Sequence, residues 1–203
     1  MVTKLVIVGA GGHAKVVADA VSRQNKYAIA GFIDESTAGS EFGGHPVHAE
    51  ASNLPLGAFV VAIGNNETRK RIFDEMIALG WEPATVLHPA AVLAGDVQVG
   101  PGTVIFAGAI VNADASIGSN CIVNTGATID HDCLISDHVH IAPGCNLAGQ
   151  VMVGEGVFLG IGTSAIPQVR IGAWAVAGAG TVILADVDGG TTVVGVPARA
   201  IKK

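Results

Sequence analysis

The chain has 203 residues and a net charge of -6; half of it is apolar, but aromatic residues make up only 4%. Together with 28 glycines, this composition favours a sheet-rich fold packed from small and β-branched side chains over a helical bundle. The acidic balance and the lack of a Lys/Arg run argue against binding to nucleic acid or to a membrane. The chain shows neither a signal peptide nor an apolar stretch of membrane-spanning length, so we expect a cytoplasmic protein.

The first half alternates predicted strands and helices, which indicates a Rossmann-like βαβ unit with a parallel sheet over residues 1–84. Predicted strands are Lys4–Gly9, Tyr27–Ile33 and Phe59–Ile63, and predicted helices are His13 to about Ser22 and Glu67–Leu79. The stretch Ser36–Pro55 is rich in Gly, His and Pro and is predicted to be a loop with a minor strand. His45 and His48 are therefore expected to be loop histidines.

After Pro83 the apolar pattern takes a period of six. An aliphatic residue or Ala recurs at every sixth position from Leu93 to Ile183 without an insertion, and a small or β-branched residue occupies the position four places further on. This period matches neither a helix nor a flat strand and predicts a solenoid. Three hexads make one triangular coil of 18 residues, and successive coils stack about 4.8 Å apart. We predict an all-β parallel β-helix over residues 85–203.

The three cysteines fall on this pattern. Cys121, Cys133 and Cys145 occupy the small inward position of their hexads, so we expect buried thiols. Their odd number and the lack of a CxxC motif disfavour a disulfide framework and a zinc site, and no metal site is expected.

Polar residues interrupt the repeat on its outer surface around position 131. His131 and Asp132 are the third and fourth residues of their hexad and face outward, and adding 18 to 114 places Asp114 one coil below Asp132. Carboxylates near an imidazole raise its basicity, and the neutral ring can then accept a proton from an attacking amine or hydroxyl. We predict that His131 is a general base, whereas His138 is expected to lie on a solvated corner. Cys133 points inward, which disfavours it as a nucleophile.

A glycine-rich turn follows the first predicted strand. Gly9–Lys15 opens a helix, and its glycines let the backbone approach a phosphate whose charge the helix N-terminus favours. With Asp34 after the second strand as a ribose ligand, this motif alone suggests NAD. The unit lacks the second mononucleotide half that a dinucleotide needs, and His13 and Lys15 suit a pyrophosphate.

The hexad spacing from about Leu87 to Arg199 resembles the hexapeptide-repeat acyltransferases. The resemblance implies a left-handed coil and acyl transfer from coenzyme A, with the tail Val194–Arg199 closing the CoA site. The flat outer faces of such a prism are suited to packing around a three-fold axis, so we expect a homotrimer with the active site between subunits.

The segments Asp130–Cys133 and His140–Gly144 are similar to the bacterial N-acetyltransferases that act on nucleotide-linked amino sugars. Related sialic acid O-acetyltransferases share much of this pattern. The resemblance implies that His131 is the base, that the next acidic residue tunes it, and that His140 contacts the thioester region of acetyl-CoA. It also implies that the backbone at Gly149, Ile161 and Ala179 lines the CoA groove. That group has Glu where this chain has Asp132, so direct contact between Asp132 and the imidazole stays open.

The first half resembles the same group. The shared segments, which hold the nucleotide-sugar there, are Gly11-Gly12-His13, Asp34-Glu35 and Gly64-Asn65-Asn66, with Lys15 as a further candidate. We therefore predict an acetyl-CoA-dependent N-acetyltransferase acting on the amino group of a UDP-, dTDP- or GDP-linked amino sugar, without an acyl-enzyme. The alternatives are O-acetylation of sialic acid or another sugar, NAD-linked chemistry, and a non-catalytic scaffold that binds nucleotide-sugars.

Overall fold

The computed structural model describes residues 3–201, apart from the side chain of Asn53. The first part is a Rossmann-like unit of six strands in the order β3-β4-β2-β1-β5-β6, all parallel except for the β3–β4 pair. Its strands are β1 (Thr3–Val8), β2 (Tyr27–Ile33), β3 (Glu41–Phe42), β4 (His45–His48), β5 (Ala58–Val61) and β6 (Glu82–Pro83), and its helices are α1 (Gly12–Gln24) and α2 (Asn66–Ala78). Two short 3-10 turns, Glu35–Thr37 and Ala51–Asn53, complete it.

One local prediction was wrong. The segment Ser36–Pro55 contains the β3–β4 hairpin, and His45 and His48 are the terminal residues of β4 rather than loop residues. The β4 strand also pairs with β2, so its backbone groups are held by the sheet. Gly43 and Gly44 form the hairpin turn with positive φ angles of 58° and 78°, which glycine adopts without steric cost.

The second part is a three-sided parallel β-helix whose strands pair with the strand 18 residues away, as the period of six predicted. The first face consists of Val86–Leu87, Val104–Ile105, Ile122–Val123, His140–Ile141, Phe158–Leu159, Val176–Ala177, Thr192–Val194 and Arg199–Ile201. The second face consists of Val92–Leu93, Ile110–Val111, Thr128–Ile129, Asn146–Leu147, Ser164–Ala165 and Val182–Ile183. The third face consists of Gln98–Val99, Ser116–Ile117, Leu134–Ile135, Met152–Val153 and Arg170–Ile171.

Both inward positions of the hexad form the core of the prism. Aliphatic residues such as Ile117 and Ile129 alternate there with small residues such as Ala115 and Ala127, all almost completely buried. The three cysteines lie in the same core, and burial raises the pKa of Cys121 to about 12 and that of Cys145 to about 11. Thiols in this state are poor nucleophiles, so the structure gives none of them the features of a reactive cysteine.

The last coil departs from the predicted register. Val176 pairs with Thr192 and Ile171 with Val187, a spacing of 16 residues instead of 18. The chain then turns back, and Arg199–Ile201 pairs antiparallel with Thr192–Val194. This antiparallel strand ends the stack of parallel strands on the first face.

The two parts share a core on the first face. Val104, Phe106 and Ile122 on the outside of this face are buried with residues of α1 and β1 in one apolar cluster. The Rossmann-like unit therefore covers the lower coils of the first face, and burial of this apolar surface stabilises the junction. Within residues 3–201, no helix is long and apolar enough to cross a membrane.

Candidate active site

An imidazole–carboxylate pair projects from the corner between the second and third faces. His131 Nδ1 lies 2.7 Å from Asp132 Oδ2, and the two side chains are 57% and 48% exposed. Asp132 adopts a positive φ of 59°, as the tight corner requires, and this orients its short side chain toward the ring. The structure therefore answers the question left open by the sequence: the shorter Asp contacts the imidazole directly.

The carboxylates around this ring increase its basicity. The hydrogen bond to Asp132 raises the pKa of His131, and the charges of Asp130 and Asp114 act in the same direction. Asp130 also accepts a hydrogen bond from the His131 backbone N–H at 2.8 Å, which fixes the corner that carries the ring. Because Nδ1–H donates to Asp132, the lone pair of Nε2 faces outward and is free to accept a proton.

Gly149 lies directly against this ring. It occupies the corresponding corner one coil above His131, and a Cβ atom added to it would lie 2.6 Å from both Cε1 and Nε2 of the imidazole. Among the described residues, the Gly149 N–H has no hydrogen-bond partner. The corner therefore combines a proton acceptor with an unpaired backbone donor.

His140 lies on the first face and is only 8% exposed. Its Nδ1 donates to the carbonyl of Gly64 at 3.2 Å, and its Nε2 lies 3.3 Å from the side-chain amide of Asn124. Burial, with a smaller contribution from the charge of Arg69, lowers the pKa of His140 to about 4. This imidazole is therefore neutral at physiological pH and links the Rossmann-like unit to the prism.

The glycine-rich turn lies close to His140. His13, in the first turn of α1, has its ring 6.3 Å from that of His140 and packs edge-on against Phe106 at 5.5 Å. Its Nε2 is buried and has no partner, and burial lowers its pKa to about 4. Gly11 and Gly12 have open space where a Cβ atom would be, so a ligand can approach the backbone at the start of α1.

A cavity of about 570 Å³ lies at the carboxyl edge of the parallel sheet, next to this turn. Its lining includes Gly9, Asp34 and Glu35 on one side and Ile72 and Met76 of α2 on the other. Asp34 accepts hydrogen bonds from the Ala10 N–H and from Ser36, and the bonds to Ser36 contribute most to lowering its pKa. Open α/β sheets bind ligands at this edge.

Arg69 of α2 holds the two parts together and was not predicted from the sequence. Its side chain is 1% exposed and donates to five oxygens, which are the carbonyls of Ile63, Gly64, Asn120 and His138 and the side chain of Asn66. Burial lowers its pKa to about 10, so the guanidinium stays charged at neutral pH. Because it shares the Gly64 carbonyl with His140, Arg69 fixes the loop that His140 contacts.

A second cavity of about 540 Å³ opens between the start of α2 and the first face, and most of its prism-side residues were missed by sequence reasoning. It is lined by Gly64, Asn65, Asn66, Glu67, His140, Gly156, Phe158, Trp174 and Val176. Phe158 stacks edge-on against His140 with a centroid distance of 5.2 Å. The sequence carried a signal for it, because Phe158 is one coil, or 18 residues, beyond His140.

The predicted site residues form two groups within one chain. His131, Asp132 and Gly149 lie together at one corner, whereas Gly64, Asn65 and His140 lie on the opposite side of the prism, close to His13. Ile161 and Ala179 are at the corner between the first and second faces, with exposed side chains. Lys15 lines a third cavity with Asp19 and Phe42, away from both groups. Across residues 3–201, no group of His, Cys, Asp and Glu could hold a metal ion.

Comparison with known proteins supports the predicted resemblance. A family model described as the PglD N-terminal domain matches residues 4–76. The acetyltransferase domain of PglB from Neisseria gonorrhoeae FA1090 is 38% identical, with a TM-score of 0.92 over 98% of this chain and 99% of that one. The same domain in complex with acetyl coenzyme A is 37% identical, with a TM-score of 0.91 over 99% and 100%.

Two further relatives act on or bind nucleotide-sugars. PerB from Caulobacter crescentus, in complex with CoA and GDP-perosamine, is 36% identical, with a TM-score of 0.92 over 98% of this chain and 97% of that one. A UDP-N-acetylbacillosamine N-acetyltransferase of Bacillus subtilis (strain 168) is 40% identical over 102 residues, 46% of this chain and 47% of that protein. The alignment thus spans about half the length of this curated relative.

These full-length matches confirm the predicted fold class, a Rossmann-like unit followed by a left-handed parallel β-helix. They also confirm acyl transfer with acetyl-CoA as the chemistry of the group that this chain resembles. We conclude that the chain belongs to the PglD-like family of acetyltransferases.

Proposed function

We propose that this protein transfers the acetyl group of acetyl-CoA to the amino group of a nucleotide-linked amino sugar. The observation that carries the proposal is the exposed His131–Asp132 pair, a ring of raised basicity with a free Nε2 on the outside of the prism. The nucleotide-sugars named for PerB and for the Bacillus relative support this acceptor class.

The nucleotide-sugar has a continuous path across the Rossmann-like unit. The cavity beside Asp34 and Glu35 takes the nucleoside, and the open backbone at Gly11 and Gly12 takes the diphosphate at the start of α1. The buried, unpartnered Nε2 of His13 then supplies one polar contact toward His140. The sugar therefore reaches the junction between α2 and the first face.

The catalytic base comes from a second copy of the chain. In a triangular prism the corner between the second and third faces is opposite the first face, so His131 points away from the junction at which the sugar arrives. A homotrimer brings this corner of one subunit to the first face of its neighbour, and the site is complete only between subunits. The groove between adjacent prisms then holds CoA along Gly149, Ile161 and Ala179.

The reaction proceeds by direct attack. The amine nitrogen attacks the thioester carbonyl carbon, a C–N bond forms, and the C–S bond breaks. Nε2 of His131 accepts the amine proton and returns it to the CoA sulfur, which leaves as a thiol. The free Gly149 N–H, adjacent to the ring, donates to the oxyanion that develops on the carbonyl.

Incubation with acetyl-CoA and a panel of UDP-, dTDP- and GDP-linked amino sugars, with thiol release as the readout, tests the proposal. We expect turnover with at least one of these sugars and a decrease of about 100-fold or more in the His131→Ala variant. Turnover with free sialic acid but with no nucleotide-sugar would instead identify an O-acetyltransferase. Tight NADH binding without CoA binding would indicate NAD-linked chemistry, and nucleotide-sugar binding without turnover would indicate a scaffold.

A further inference from the structure

We propose that the cavity between α2 and the first face is an acyl-chain pocket that lets this enzyme transfer acyl groups longer than acetyl. The inference rests on the proposed function, which places the thioester beside His140. This cavity adjoins His140 and has a volume of about 540 Å³, far more than a methyl group fills. Two aromatic rings, Phe158 and Trp174, and the aliphatic Val176 form its prism side.

Most polar groups in the wall of this cavity already have partners. The Asn66 amide donates to the carbonyls of Gly156 and Val157, and its oxygen accepts from Arg69. The Asn65 oxygen caps α2 by accepting from the Thr68 N–H at 2.9 Å.

The two ring nitrogens of His140 are also engaged, by Gly64 and Asn124. Only the amide nitrogen of Asn65, the carboxylate of Glu67 and the indole N–H of Trp174 have no intramolecular hydrogen bond among the described lining side chains. A sugar ring would leave several hydroxyls without partners here, each at a cost in free energy. An alkyl chain has no such requirement and gains from burial against the rings.

Trp174 shows that this wall is not simply a prism corner. Its φ is 60°, in the left-handed region, where a bulky side chain is an outlier, and the equivalent corners of other coils carry Gly102 and Gly156. The ring packs over Gly156, where a Cβ atom would lie 2.4 Å from Cε3 of the indole. Strained backbone that aims a large side chain into a cavity is characteristic of functional sites.

The reaction is the same as with acetyl-CoA. The amine nitrogen forms a bond to the acyl carbonyl carbon, the C–S bond breaks, and the amine proton passes through His131 to the released CoA thiol. The longer alkyl tail enters the cavity beside Phe158, and the reacting atoms stay in place.

Equilibrium binding of CoA, acetyl-CoA, butyryl-CoA and hexanoyl-CoA to the full-length protein, measured calorimetrically without sugar, tests the pocket. We expect butyryl-CoA to bind about 4- to 16-fold more tightly than acetyl-CoA, because each buried methylene contributes up to about four-fold. The Val176→Phe variant fills the cavity and should lower the butyryl-to-acetyl affinity ratio by about 10-fold. Equal affinities in the wild-type protein, no acyl-CoA binding, or an unchanged ratio in Val176→Phe would overturn the proposal.

The Trp174→Gly variant provides a second test that does not risk the fold, because glycine adopts positive φ without strain. It should shift the preference toward hexanoyl-CoA, whereas Asn25→Gly, at the left-handed C-cap of α1 and remote from the cavity, should leave the affinity order unchanged. An unshifted preference in Trp174→Gly would contradict the pocket. Because binding is measured without an acceptor, failure of every amino sugar to react would refute the proposed function and leave this measurement valid.

Discussion

The contact between Gly149 and the His131 ring makes the substitution Gly149→Ala a sharp test of the active site. The added Cβ would lie 2.6 Å from Cε1 and Nε2 of the imidazole, whereas unstrained contacts between such atoms are about 3.5 Å or longer. The exposed ring must therefore move by about 1 Å, and a displacement of this size costs about 100-fold in catalysis. The backbone N–H of residue 149 is retained, so the loss reports on the position of the base.

We expect kcat/KM for acetyl transfer in Gly149→Ala to fall by about 100-fold, while the free energy of unfolding changes by less than about 1 kcal/mol. The matched control is Gly95→Ala, at the same corner position three coils below, where a Cβ atom meets nothing within 4 Å. Ala113 occupies this corner position in another coil, so the backbone tolerates alanine. Activity of Gly149→Ala within three-fold of the wild type would refute the reasoning.

Three further predictions concern charge and burial. Asp132→Asn removes the main cause of the raised pKa of His131, so the acid limb of the kcat/KM–pH profile, where activity is lost as the ring is protonated, should move to lower pH. Arg69→Met leaves five oxygens without their donor and should destabilise the fold by about 3–5 kcal/mol in urea, against about 0.5 kcal/mol for the exposed Arg71→Met. Because the folded-state pKa of His140 is depressed to about 4, stability should decline by on the order of 2–3 kcal/mol as pH falls from about 6.5 to 4, and less in His140→Asn.

The prism could be predicted from the sequence because its rule is local. Each hexad forms one side of a coil, so an unbroken period fixes which strand lies on which, and Val104 pairs with Ile122 as the 18-residue repeat requires. The end of the repeat was less visible. The pattern ends at Ile183, so the sequence carried no marker for the shortened coil that pairs Ile171 with Val187.

The corner pair was predictable for the same reason, since His131 and Asp132 are neighbours on one turn. The junction was not, because it depends on how two separately folded units pack. Arg69 appears in the sequence as one cation among several on an amphipathic helix. Its spacing of three and four residues before Ile72 and Phe73 nevertheless places it near the apolar stripe of α2, a signal for burial.

The second cavity illustrates a limit of pattern reading. Phe158 and Trp174 occupy outward positions of ordinary hexads, and nothing in the period distinguishes a solvent-exposed outward position from one covered by another domain. Only the placement of α2 over the first face brings these rings next to Glu67. The register could have located Phe158 above His140, but it gives no information on what lies opposite.

The central claim is that one subunit supplies His131 and its neighbour supplies the junction at His140. Co-expression of His131→Ala with His140→Ala subunits tests it most directly, because each variant alone lacks one half of every site. In a randomly mixed trimer about one interface in four combines two intact halves, so we predict recovery of about a quarter of wild-type acetyl transfer. Mixed trimers as inactive as the parent variants would show that both residues act within one chain and would contradict the account.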